Sequence, residues 1–153
     1  MVVSDQKGLE SLVARQKSQN FAIEICGEIL SLLPAQEKYA LTSQLRRAVQ
    51  SIPANIAEGY ERYYYQEGIR FTYIARGSLE ETYSHLHFAN RMGYLTDDVF
   101  MGLTVEIKEL RKITNGFINY LRKSKQGLSE PGSEYYVQFS EDSRLNKNTD
   151  ETD

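Results

Sequence analysis

Arginine and tyrosine are the residues of this chain whose spacing could do chemistry. Between Gln44 and Leu79 it reads QLRRAVQSIPANIAEGYERYYYQEGIRFTYIARGSL. Apolar positions recur there at helical spacing, yet Arg46, Arg47, Glu58, Arg62, Arg70 and Arg76 are set among them. Arg46 and Arg47 are adjacent, so on a helix they point about 100° apart and cannot both face one partner squarely. Glu58 with Arg62, and Arg76 with Glu80, stand four apart, and Glu67 with Arg70 three apart, the spacings at which helical side chains meet. Together with Asn55, a helix-end polar partner, Arg46, Arg47, Glu58, Arg62, Arg70, Arg76 and Glu80 form an ion-pair network on this reading. Such a network would fix helix register and contacts between copies of the chain, because arginine–carboxylate pairs suit interfaces. The same arginines turned outward would bind phosphate.

Two further clusters extend the choice. Tyr60, Tyr63, Tyr64, Tyr65 and Tyr73 surround Arg62 and Arg70. Aromatic rings between arginines can stack bases, and they are equally at home in a protein interface. Lys108, Arg111 and Lys112 share one face of a later helix, where they would be solvated or would contact phosphates. Tyr63, Tyr64, Tyr65, Lys108, Arg111 and Lys112 are thus the expected contacts for a nucleic acid or a protein partner. Arg122, Lys123 and Lys125 add a basic end to that helix, where cations also suit the helix dipole.

Enzyme signatures are absent. There is no HExxH, P-loop or GxSxG run. His85 and His87 are two apart and diverge on a helix, which is poor for joint metal binding. Cys26, the only cysteine, falls on an apolar face and reads as a small core residue. We therefore expect no catalytic, cofactor-binding or metal site, and no enzyme.

The elements that must position these groups are helices. In the first, about Gly8 to Leu33, Ala22, Ile25, Cys26, Ile29, Leu30 and Leu33 make one face. The second, about Ala35 to Glu58, has its stripe at Leu41, Leu45, Ala48, Val49, Ile52 and Ile56. Gly59 is its expected cap and Pro53 a source of a kink or break. The third runs from about Gln66 to Met92 and stops at Gly93. Its mid-helix Gly77-Ser78 pair predicts close approach of a neighbouring helix. The fourth follows Thr96-Asp97-Asp98, an N-cap signal, and repeats Leu103, Ile107, Leu110, Thr114, Phe117 and Leu121 in a narrow seam before Gly127 closes it. Loops are short, so the expected fold is all-α, an antiparallel up-down-up-down four-helix bundle.

Composition sets outer limits. At 153 residues, one domain burying roughly 70% of its unfolded surface needs no disulfide. No run approaches the ~20 apolar residues of a membrane span, and no signal peptide is read at the start. With its lone cysteine, the chain is expected to be soluble and cytoplasmic, with no membrane partner. Net charge is −3 overall, but residues 126–153 carry seven acids against Arg144 and Lys147, leaving the body mildly basic. The expected organisation is a flexible N-terminus over 1–7, a bundle over 8–125, and an acidic, largely disordered tail over 126–153. Within the tail, Glu134-Tyr135-Tyr136-Val137-Gln138-Phe139 is an apolar island able to dock on the body or on a partner.

QLRRA, SIPANIAEG and YIARGSLEE together resemble the bacterial four-helix-bundle proteins encoded in intervening sequences of 23S rRNA genes. The resemblance covers roughly residues 9–125 and extends to the accessory variability proteins of diversity-generating retroelements. It implies a closed homopentamer, hence a homo-oligomeric ring for this chain, with no known catalytic activity. It also implies RNA or DNA as a partner, or a protein partner such as the reverse transcriptase of the retroelement branch. The chain departs from the family pattern in having no tryptophan, and in placing Gly68 where a bulky apolar residue is usual.

Overall fold

A computed structural model describes residues 3–62 and 64–124, without the side chains of residues 3–12 and 124. Among them are four α-helices and no strand: α1 (Val3–Glu24), α2 (Leu41–Tyr60), α3 (Tyr65–Arg91) and α4 (Asp97–Ser124). α1 packs on α2 and α4, and α3 packs on α2 and α4, so each helix has two neighbours round one core. The expected closure at Gly127 and the tail with its apolar island lie outside the described residues.

The core is made of the stripes that periodicity marks. Leu45, Val49, Ile52 and Ile56 of α2 are buried, as is every member of the α4 seam from Leu103 to Leu121. α3 contributes Ala75, Leu79, Leu86 and Ala89. Five hydroxyl residues are buried with them, and four of these bond to their own helix. Ser18, Thr72, Thr82 and Thr114 each donate to the carbonyl four residues back, at 2.6–2.8 Å. Helical backbone thereby satisfies the polar atom, and the side chain counts as small and apolar toward its neighbours.

α1 begins ahead of Gly8 and does not end as an α-helix. It passes into a π-helical turn at Ile25–Ile29 and a 3-10 turn at Leu30–Leu32. Phe21, Ile25, Ile29 and Leu33, all buried, recur every four residues, slower than the 3.6 of an α-helix. The wider π turn keeps them on the core side. Pro34 then opens a short 3-10 turn at Ala35–Glu37. Glu37 ties two elements there. One carboxylate oxygen accepts from the Leu41 backbone N–H that starts α2 (3.3 Å), and the other accepts from the Tyr94 hydroxyl (3.1 Å). α2 thus starts later than Ala35 and runs unbroken through Pro53.

The α3–α4 connection follows its sequence signals. Gly93 takes φ 77°, the left-handed conformation that costs glycine least. Its N–H donates to the Asn90 carbonyl (3.0 Å), and the Tyr94 N–H donates to that of Ala89 (2.9 Å), the double bond of a Schellman stop. The Val99 N–H donates to the Thr96 hydroxyl (3.3 Å), capping α4.

Two glycine expectations reverse. Gly59 is no cap: it is a buried residue inside α2, facing Gly68 of α3. A Cβ on Gly59 would stand 2.9 Å from the Gly68 carbonyl oxygen, and one on Gly68 would stand 3.0 Å from the Gly59 oxygen. This is where two helices approach closely, not at Gly77, which faces open space. Ser78 is the half of that pair which touches a neighbour, its hydroxyl 2.8 Å from that of Ser51 on α2.

Opposite effects of alanine should follow at the two positions. Gly59→Ala forces backbone apart and should cost about 1–3 kcal/mol. Gly77→Ala relieves the helix-interior penalty and should add about 0.5–1 kcal/mol. Urea unfolding followed by circular dichroism measures both.

Candidate functional site

The groups capable of chemistry gather mainly where α3 meets α4. Tyr73 lies between two guanidinium groups, with Arg76 at 4.6 Å and Arg122 at 5.4 Å from its ring centre. Arg122 also donates to the Tyr73 hydroxyl. Arg76 reaches across to α4, where its Nη1 donates to Asn115 Oδ1 at 3.0 Å. One turn further along α3, Glu80 accepts two bonds from Arg111, at 2.6 Å from Nε and 2.9 Å from Nη2. This fork geometry is the strong form of an arginine–carboxylate contact. Donating these bonds to Glu80 raises the Arg111 pKa above its ordinary value, against the opposing effect of burial. Beyond it, Tyr83, His87 and Phe100 pack ring to ring, with centroids 5.7–6.2 Å apart.

The partners expected at local spacing are therefore partly replaced. Arg62 does pair with Glu58, four residues back, and lies 4.5 Å over the Phe71 ring. Arg76 does not pair with Glu80. Arg76 takes Asn115 and Tyr73, and Glu80 takes Arg111, because α4 brings a second arginine within reach. Asn55 donates at 2.8 Å to both the carbonyl and the hydroxyl of Ser51, so its partner is a serine pair spanning α2 and α3 rather than an arginine. Arg46 and Arg47 are exposed on α2, and Arg70 is exposed on α3. Arg47 borders a polar groove of about 520 Å³ with Gln44, Ser51, Ser78 and Glu81. Tyr64 and Tyr65 are half-buried at the start of α3, and Tyr63 lies outside the described residues. Lys108 and Lys112 are exposed.

His85 bonds Glu81 at 3.3 Å and His87 belongs to the ring cluster, so the two histidines serve different neighbours. Among the described residues no group of three or more His, Cys, Asp or Glu could hold a metal ion, and no helix is long and apolar enough to cross a membrane. Cys26 is half-buried rather than in the core, at the edge of a groove of about 400 Å³ between α1 and α2.

Between residues 10 and 116 the sequence matches the model of the family described as 23S rRNA-intervening sequence protein. The chain belongs to that family. The motifs QLRRA, SIPANIAEG and YIARGSLEE all lie inside the matched span. No curated protein matches the sequence. A solved structure from Bacteroides thetaiotaomicron, described as a protein with unknown function from the S23 ribosomal protein family, is similar in fold. Its TM-score is 0.66 at 24% identity, over 72% of this chain and 98% of the other. The family member described here thus shares an all-helical fold with that neighbour.

One group has no signal in the family motifs or in local spacing. Glu106 of α4 shares a hydrogen bond with Glu24 of α1, beside a groove of about 190 Å³ that Lys17, Asn20 and Glu109 also line. Lys17 pairs with Glu109. Burial, then the Glu24 charge and hydrogen bond, then the Glu109 charge, push Glu106 from 4.5 up to about 7. A carboxylic acid held above its ordinary pKa binds its proton more tightly when folded, so stability from this source is full below pH 4.5 and is lost as pH rises through about 7. Melting temperatures at pH 5.5 and 8 should therefore fall more across that interval in the unmodified protein than in Glu106→Gln. An equal fall in both would place the titration elsewhere.

Proposed function

We propose that this protein is a non-enzymatic, homo-oligomeric scaffold that binds nucleic acid through cations on the outside of an antiparallel four-helix bundle. The observation that carries this reading is the division among its cations. Arg62, Arg76 and Arg111 have protein partners, whereas Lys108 and Lys112 have no ion-pair partner among the described residues and face solvent with Lys123. Cations with no carboxylate to neutralise them are the ones free to displace counterions from phosphates. Arg122 against Tyr73 offers a cation beside a ring, the combination that serves a base and its phosphate together. The descriptions of the family and of its Bacteroides neighbour, both naming ribosomal RNA or a ribosomal protein, also point toward RNA. The antiparallel arrangement is supported by the α3–α4 pairs, since Tyr73 with Arg122, Arg76 with Asn115 and Glu80 with Arg111 run in opposite chain directions. A ring of five copies is what the family resemblance implies, and it would repeat each exposed lysine around one axis.

A second reading is a protein-interaction adaptor without a nucleic-acid role. It is favoured by how many arginines already have partners, and by the Tyr64 and Tyr65 side chains at the α2–α3 corner. A protein partner that co-purifies after nuclease treatment would support it.

Titration of labelled RNA and DNA over a range of salt concentrations separates the two. Under the nucleic-acid reading, log affinity falls linearly with log salt, and replacing both Lys108 and Lys112 by alanine flattens the slope by about 1 for each lysine that contacts a phosphate. No binding at low salt, or binding indifferent to salt, would defeat that reading. Light scattering of the same sample tests the oligomer, and a monomer would remove the ring.

A further inference from the structure

The outward face of α4 is not uniformly polar. Met101, Val105, Lys108, Lys112, Gly116, Asn119 and Lys123 follow one another at spacings of three and four, so they lie in one stripe. All are exposed, and they stand opposite the buried seam from Leu103 to Leu121. Met101 and Val105 are 65% and 66% exposed. One end of the stripe is therefore apolar, and the rest carries three lysines among neutral residues, with no acidic residue in the row. A solvated helix face has no need of adjacent exposed methionine and valine beside two unpaired lysines. A covering segment for this stripe should be acidic where the lysines are and apolar where Met101 is.

The chain carries such a segment immediately after α4. Residues 126–153 have a net charge of −5, with Glu130 and Glu134 preceding Tyr135, Val137 and Phe139. In an extended strand those three apolar side chains fall on one side, because alternate residues share a face. We infer that this segment folds back along the outward stripe of α4, its apolar residues against Met101 and Val105 and its acids over the lysines. Chain length supports the register. If the chain reverses near Gly127 and Leu128, Glu134, Tyr135 and Phe139 lie six, seven and eleven residues beyond the turn. At about 3.3 Å per extended residue these are about 20, 23 and 36 Å along the stripe. At about 1.5 Å per helical residue, that returns Glu134 to the level of Arg111, Tyr135 to that of Glu109 and Phe139 to that of Phe100. Glu134 thus arrives beside Lys112, and the Tyr135–Phe139 stretch spans Lys108, Val105 and Met101. A covalently attached segment has a high effective concentration, so modest contact area suffices to hold it.

The consequence is competition. The tail covers Lys108 and Lys112, the lysines that would contact phosphate, and so restrains binding of nucleic acid until it is displaced. Docking of the tail stands by itself, and only this restraint rests on the nucleic-acid reading above.

Methionine oxidation of the full chain, resolved by mass spectrometry, tests the docking. Met101 is more exposed on the helices than Met92 of the loop after α3, which is 51% exposed, so an uncovered stripe lets Met101 oxidise at least as fast. With the tail docked, Met101 oxidises several-fold more slowly than Met92 at low salt. Protection is lost in the variant Tyr135→Ser, Val137→Ser, Phe139→Ser and weakens in about 1 M salt, where the Debye length is about 3 Å. Equal rates for the two methionines in the unmodified chain would overturn the docking. So would protection of Met101 that persists in the triple variant, which would mean that a second copy covers the stripe. Labelled RNA separates the two layers. The triple variant should bind about tenfold more tightly at low salt, the gain from removing a tethered competitor. Loss of Met101 protection with no RNA binding by either protein leaves the docking intact and defeats the nucleic-acid reading, whereas equal RNA affinity defeats the restraint.

Discussion

The close contact between α2 and α3 is the constraint on which the other helix positions depend. Gly59 and Gly68 bring the two backbones together with no side chain between them. The Ser51–Ser78 hydroxyl contact then holds the same two helices further along. Two small pairs, separated by about two to three helical turns, fix both the spacing and the rotation of α3 against α2. Once α3 is rotated in this way, Leu79 and Leu86 enter the core, and Tyr73, Arg76 and Glu80 are carried to the side that α4 occupies. A bulkier residue at either glycine would have to move backbone, which close-packed interiors resist.

The α3–α4 boundary has a different chemistry. Apolar seams close its interior, while charged and aromatic groups close its edge. Arg76, Tyr73, Arg122, Glu80 and Arg111 are all involved, and several are partly exposed. Solvent screens such pairs, so each contributes little to stability. Their effect is on register and on charge. Arginines that pair within the protein are withdrawn from outside partners, and the cations left available include Arg46 and Arg47 on α2 and the lysine row on the far side of α4.

The α1–α4 boundary is balanced differently again. Here two carboxyl groups, Glu24 and Glu106, share a hydrogen bond immediately before the π turn. Paired carboxyl groups favour holding a proton between them. The Lys17–Glu109 pair lies alongside, so one seam contains both an ion pair and a carboxyl group, Glu106, whose pKa is raised to about 7. Stability on this side of the molecule follows pH in a way that the α2–α3 contact does not.

The sequence by itself determined the helices and their buried sides. A seam such as Leu103, Ile107, Leu110, Thr114, Phe117 and Leu121 can be buried along only one line of a helix, so periodicity was sufficient. The cap at Thr96 and the stop at Gly93 were legible for a similar reason, since both depend on backbone groups a few residues away. The family motifs were legible as well, within residues 10–116. What tertiary structure alone decided was which side chains meet across helices. Gly59 reads locally as a helix stop, yet a contact with Gly68 makes it an interior residue. Arg76 and Glu80 read locally as a pair, yet Asn115 and Arg111 of α4 take them. Glu24 and Glu106 have no local signal at all, being far apart in the chain. Spacing within a helix specifies angle around its axis, whereas a contact between helices also requires their relative rotation and height, and those are set by packing of the whole core.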